Sequence, residues 1–174
     1  AGPARLGLGR AALASRNWSN AIEASSSVLE GDPNNVEALE MRAEAYMGQL
    51  TEPAKALEDL DRAIGIAPDS AGLRSARVRA LIMNDKIDEA AEALEDLERM
   101  DSESAKIEPY LRGPICVLRG VFERERGNPE KAEEVMLRCL AEYPADGTVV
   151  DAAVELYDGG NRADEATGII RTAL

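Results

Sequence analysis

The 174-residue chain has no histidine, two cysteines and few aromatics, with one Trp, four Tyr and one Phe. Without histidine there is no serine-histidine or cysteine-histidine nucleophile system and no histidine metal site. No apolar run approaches the roughly 18 to 20 residues of a membrane-spanning helix, so membrane insertion is not expected. Positive charge is also scarce: 20 Lys and Arg stand against 33 Asp and Glu. The net charge of −13 repels phosphate backbones and anionic lipid surfaces, which removes nucleic acid from the expected partners. The imbalance is uneven, residues 2–35 summing to zero, 36–70 to −5 and 71–104 to −4, and solvated helix faces account for most of it.

Cys116 and Cys139 lie at apolar positions of helical patterns and form no C-x-x-C pair. Buried free thiols are the expected state; a disulfide is the alternative if the two face each other in an oxidising compartment. The cytoplasm is the default compartment and the periplasm the alternative, and alanine richness with scarce aromatics is compatible with a bacterial origin. The opening AGPARLGLGRAAL has neither an initiator Met nor a long apolar centre, and the closing TGIIRTAL stops inside an apolar helical pattern. Both ends therefore suggest a segment of a longer protein.

What the chain does have is a period. Ala21, Ala56, Ala90, Ala132 and Ala166 fall at intervals of 35, 34, 42 and 34 residues, each opening the same helical pattern. The pattern continues through Val28 and Pro33; Leu60, Ala63 and Pro68; Leu94 and Leu97; Met136, Cys139 and Pro144; and Ile170 and Ala173. Twelve residues before its alanine stands a small or slender residue, Gly9, Val78, Gly120 or Val154, while Ala43 precedes Ala56 by 13. Each unit therefore reads as two amphipathic helices whose small residues let the backbones approach, with proline ending the unit.

The regularity has exceptions. Ser102 stands in the third unit's proline position, and Ser25 replaces a large apolar residue of the first. The 42-residue interval implies eight extra residues around SAKIEPYLRGP, where Pro109, Gly113 and Pro114 punctuate a longer connection or an added helical turn. Asn128-Pro129 reads as an N-cap and first helical position, and Asn84-Asp85 and Gly160-Asn161 fall at nearly equivalent turns. Trp18 and Ile87, each three residues before their unit's alanine, are placed to close the corner between helices.

No catalytic constellation emerges. Gly7-Leu8-Gly9-Arg10-Ala11-Ala12 spells G-x-G-x-x-A but lacks the strand and ribose-binding acid of a dinucleotide loop. Asp59 and Asp61 lack the other ligands of a calcium loop and are expected to be solvent-facing carboxylates. No catalytic residue, metal ligand or cofactor site is assigned.

The pattern resembles the tetratricopeptide repeat, a helix-turn-helix unit with a small residue early, an alanine mid-unit and a proline near the end. The best unit is residues 36–70, with Leu39, Ala43, Tyr46, Ala56, Ala63 and Pro68 in family positions, and the resemblance covers essentially the whole chain. It implies an all-α fold, a right-handed superhelical solenoid of antiparallel helix pairs, in a single array over 1–174. The units are 2–35, 36–70, 71–104, 113–146 and an incomplete 147–174, with 105–112 as an insertion.

The family's role implies a scaffold or adaptor that binds a protein or peptide in a concave groove lined by first helices. The groove stripes are Leu6, Arg10, Leu13; Glu40, Glu44, Met47; Ser75, Arg79, Ile82; Val117, Val121, Arg124; and Asp151, Glu155, Asp158. Arg10, Glu44 and Arg79 should form a charge ladder, while Leu13, Met47, Ile82 and Met83 form an apolar row. With the acidic last stripe, this suits a partner carrying apolar and basic residues. The lysine and asparagine clamp for acidic chaperone tails is absent, its positions here including Leu6, Arg10, Met41, Gly72 and Ala76. Two alternatives stand beside the scaffold: a regulatory segment of a larger enzyme, and a self-assembly module using the Ile169, Ile170, Ala173 and Leu174 face.

Overall fold

Asparagine, serine and proline set the helix starts. The computed structural model describes residues 2–50, 52–104, 107–158 and 168, with the side chains of 101–104, 157 and 158 outside that description. Among the described residues there are nine helices and no strand: α1 (Gly2–Ala14), α2 (Trp18–Gly31), α3 (Val36–Gln49), α4 (Pro53–Ile66), α5 (Ala71–Met83), α6 (Ile87–Ser104), α7 (Pro109–Glu125), α8 (Pro129–Glu142) and α9 (Gly147–Asp158). Asn17, Asn35 and Ser70 accept backbone hydrogen bonds from the third residue of α2, α3 and α5, while α4, α7 and α8 begin with proline, whose missing N–H would have had no helical partner. Asn128 precedes α8 as expected, but its side chain does not cap the helix; it donates instead to Glu123 Oε2 at 3.0 Å.

The turn inside each of four pairs contains one left-handed residue: Arg16, Leu50, Asp85 or Gly127, with φ of 56°, 58°, 58° and 87°. Each donates its backbone N–H to the carbonyl three residues earlier, closing the first helix before the second begins. Only Gly127 adopts this conformation without a Cβ penalty.

Proline governs helix length. Pro33, Pro68 and Pro144 follow closely on the ends of α2, α4 and α8, each 14 residues long. With Ser102 in place of proline, α6 continues to Ser104 and reaches 18 residues. The 42-residue interval is thus absorbed partly by this longer helix and partly by α7, at 17 residues. Gly113 and Pro114, expected to punctuate the insertion, lie inside α7. A Cβ at Gly113 would come within 2.6 Å of Asp146 Oδ2, the carboxylate whose other oxygen accepts from the backbone N–H groups of Thr148 and Val149.

The chain divides into two compact units, Ala1–Ala93 and Leu94–Leu174. In the first, α1 to α5 pack each against the next, and the first helices α1, α3 and α5 touch in order. Ala21, Ala38, Ala43, Ala45, Ala56, Leu60 and Ala63 are fully buried between them. Ser25 is buried too and donates to the Ala21 carbonyl at 2.5 Å, satisfying its hydroxyl within its own helix. Trp18 packs with Leu13 and Ile22 against Ala12, Ala21 and Ala45, closing the corner assigned to it.

In the second unit, Val117, Val135, Met136, Cys139, Val149 and Ala153 form the core. Gly120 admits the Met136 methyl to within 3.1 Å of where a Cβ would stand. Cys116 and Cys139 are joined in a disulfide, with Cα atoms 5.7 Å apart, so the free-thiol expectation is corrected: α7 and α8 bring the two cysteines face to face. Ala166, Ile169, Ile170, Ala173 and Leu174, and the Gly160-Asn161 turn, lie outside the described residues.

A methyl group at Gly48 would sit 2.7 Å from the Trp18 indole. Gly48→Ala is therefore expected to destabilise the first unit by about 1–3 kcal/mol in urea unfolding. The penalty should shrink in a Trp18→Ala background, where no ring opposes the methyl.

Candidate partner-binding face

The stripe residues of the first unit lie on α1, α3 and α5, the helices that touch in order. Arg10, Glu40, Glu44 and Arg79 are exposed, Leu6, Leu13 and Ile82 are half-buried, and Met83 is 37% exposed. Met47 differs from the expectation. It is buried on α3, as are Ala43 and Ala45 of the same helix.

The charges also pair differently. Arg10 Nε bonds Glu37 Oε1 at 2.5 Å rather than Glu44. Gly9 packs on Met41, two residues before its counterpart Ala43, and helical side chains lean toward the N-terminus, so Arg10 meets α3 earlier than equal heights would place it. Across the face, Arg79 acts on Glu40. The expected ladder is therefore replaced by the Arg10–Glu37 pair, with Arg79 and Glu40 interacting only through their charges. Glu40 keeps solvent access, yet atoms packed around its carboxyl remove part of its hydration; this desolvation and then the charge of Glu44 push the carboxyl above its ordinary value, Glu37 adds to the rise, and Arg79 offsets only part of it.

In the second unit Val121 is half-buried and Arg124 exposed, and both line a recess of about 50 Å³ with Ala152 and Glu155. Arg124 Nε also bonds Glu125 at 3.1 Å. Val117 differs from the expectation by being buried against Val149 and Ala153. Asp151 and Glu155 are exposed, and the Asp158 side chain lies outside the described residues.

Three arginines escaped the stripe analysis. Arg42, Arg77 and Arg119 each immediately precede the small residue of a first helix, and each clasps a second helix. Arg42 makes two 2.7 Å bonds to Asp59 and one of 3.2 Å to Ser26, tying α3 to both α4 and α2. Arg77 reaches Asp61 at 2.6 Å, and Arg119 grips Glu98 at 2.8 and 2.5 Å. The recurrence of arginine beside Ala43, Val78 and Gly120 was the available signal. Asp59 is therefore not solvent-facing: it is buried because its charge is matched by a bidentate guanidinium. Among the described residues, no group of three or more candidate ligands could hold a metal ion.

Glu123 is deeply buried in the second unit, 1% exposed. Burial would push its carboxyl up, but hydrogen bonds from Lys131 and Asn128 and the charges of Lys131 and Arg119 hold it below the ordinary range. Such a group stabilises the fold above its unfolded pKa, and that contribution is lost as the pH falls through the lowered value.

Helix pairs with small residues at their contacts and a left-handed residue in each turn define a helical-repeat protein. A tetratricopeptide repeat family model matches residues 6–71, and the chain as a whole is similar in fold to solved tetratricopeptide repeat proteins. A tetratricopeptide repeat protein from Parabacteroides merdae ATCC 43184 has a TM-score of 0.70 at 21% identity, over 97% of this chain and 62% of that one, so this chain spans less than two thirds of that relative. A thermophilic TPR protein of Thermus thermophilus has a TM-score of 0.77 at 24% identity, over 100% and 90% of the two chains. The MamA protein has 0.61 at 24%, over 99% and 89%. The fold is a protein-interaction scaffold type, and no described helix is long and apolar enough to cross a membrane.

Asp59→Asn leaves the Arg42 guanidinium without its counter-charge and is expected to cost about 2–4 kcal/mol in denaturant unfolding, well above the effect at exposed Asp61. Glu123→Gln should lower stability at neutral pH by about 1–3 kcal/mol, with the difference from the native chain disappearing in a pH series that descends through the carboxylate range.

Proposed function

We propose that the chain is a non-catalytic scaffold that holds a partner protein or peptide on the α1–α3–α5 face, and that the partner brings a basic side chain next to an apolar one. Glu40 carries this proposal. Its carboxyl is raised by desolvation and by Glu44, so a cation arriving there would relieve an existing electrostatic cost. Ile82 and Met83 on α5, with Leu6 and Leu13 on α1, supply adaptable apolar surface on the same face. The complete lack of histidine and the absence of a cofactor motif support a role without catalysis.

A test compares fluorescent peptides with apolar residues followed by lysines against charge-reversed versions with glutamates. The basic peptide is expected to bind about tenfold more tightly, with the preference weakening as salt rises; equal affinity for both would contradict the proposal.

Glu40→Gln separates binding from folding. Because the native carboxyl is raised, its charged form costs stability as the pH rises through that pKa, so the variant should be at least as stable as the native chain at pH 7. It should nevertheless bind the basic peptide roughly fivefold more weakly. Unchanged affinity would remove Glu40 from the site.

A further inference from the structure

The two halves of the disulfide are unequally enclosed. Cys139, on α8, is fully buried among Val117, Val135, Met136, Val149 and Ala153, whereas Cys116, on α7, packs against that core from outside and is half-buried. Cys116 also lines a cavity of about 270 Å³ within the second unit, and Cys139 does not. Ile107 and Ile115 give the cavity buried apolar wall, while the exposed Glu98, Arg138 and Glu142 stand where it meets solvent. Its volume lies below the roughly 300–1,000 Å³ of drug-sized pockets and suits a compact molecule rather than a length of polypeptide.

Thiol–disulfide exchange needs one sulfur that a thiolate can reach and a second that can leave. Here the two requirements oppose each other. Cys116, nearer water, would leave more readily, but expelling it requires attack at Cys139, which is 0% exposed. Attack at Cys116 is open from the solvent side and expels Cys139 as a thiolate into apolar surroundings that disfavour its charge. Access therefore decides which sulfur is attacked, and the buried leaving group slows the step. Cavity walls of both charge signs play no part in this choice, which rests on burial alone.

We propose that Cys116 is an S-thiolation site for a low-molecular-weight thiol. The incoming thiolate forms a new sulfur–sulfur bond to Cys116 as the bond to Cys139 breaks. The bonding pair departs with Cys139, which then takes a proton from water. One disulfide replaces another, so no oxidant is consumed. The body of the adduct lies in the cavity, α7 and α8 keep their packing, and Cys139 stays in place to expel the thiol and close the link again. The site is separate from the α1–α3–α5 face and does not depend on the function proposed for it.

The test incubates the full chain, disulfide intact, with excess 2-mercaptoethanol, quenches samples over time with N-ethylmaleimide, and weighs the digested peptides that carry each cysteine. Cys116 should carry the mercaptoethanol and Cys139 the maleimide, with about tenfold more adduct on Cys116 than on Cys139. In urea the preference should vanish, because burial no longer separates the two sulfurs. A second measurement offers 2-hydroxyethyl disulfide to Cys139→Ala and Cys116→Ala, each first shown by circular dichroism to be folded; the thiol left in Cys139→Ala should react about tenfold faster than that left in Cys116→Ala. Adduct shared equally or chiefly on Cys139 in the folded chain, a preference that persists in urea, or no Cys116 adduct at any time before both cysteines are reduced would each overturn the proposal.

Discussion

Two helix backbones can approach closely only where neither side chain at the crossing takes up room, and this fold depends on that constraint. Ala21, Ala43, Ala56 and Ala90 are fully buried, and Gly9 and Gly120 meet the methionine methyls of Met41 and Met136. The larger apolar residues gain their packing because these contacts first bring the helices together. Gly48 applies the same rule to a ring, giving the lone tryptophan a flat seat.

Charge is placed after packing. In both units an arginine stands beside the small residue of a first helix and reaches a second helix, so the closest contact is flanked by an ion pair. The pairs differ in depth: Asp59 is buried, whereas Asp61 and Glu98 retain about half of their side-chain exposure. The buried pair is costly to break from one side, and the exposed pairs are screened by salt. Net acidity therefore coexists with an ordered set of cations, several of which already have carboxylate partners.

The period, helix pairs, small contacts and prolines were legible because they are local: spacing along a helix determines which side chains share a face. Ser102 was recognised as a departure, yet its consequence, a longer α6, depends on what else could stop the helix. The candidate site was less legible. Exposure of the stripes at Arg10, Glu40, Glu44, Arg79 and Arg124 follows from helical phase, but burial of Met47 and Val117 depends on neighbouring elements, α9 in the case of Val117. Pairing of Arg10 with Glu37 instead of Glu44 reflects a stagger between helices that a unit-by-unit alignment does not contain. The cysteine pairing was similarly non-local, since two apolar helical positions look alike whether or not their sulfurs meet.

The disulfide joins residues 23 apart within the α7–α8 pair. Helical-repeat chains drawn out from their ends lengthen as successive pairs open. Here the residues between Cys116 and Cys139 are bypassed, because the line of force crosses from one sulfur to the other. The second unit thus has a shorter mechanical contour than its sequence, and a chain under tension retains that closed loop until the bond itself is reduced.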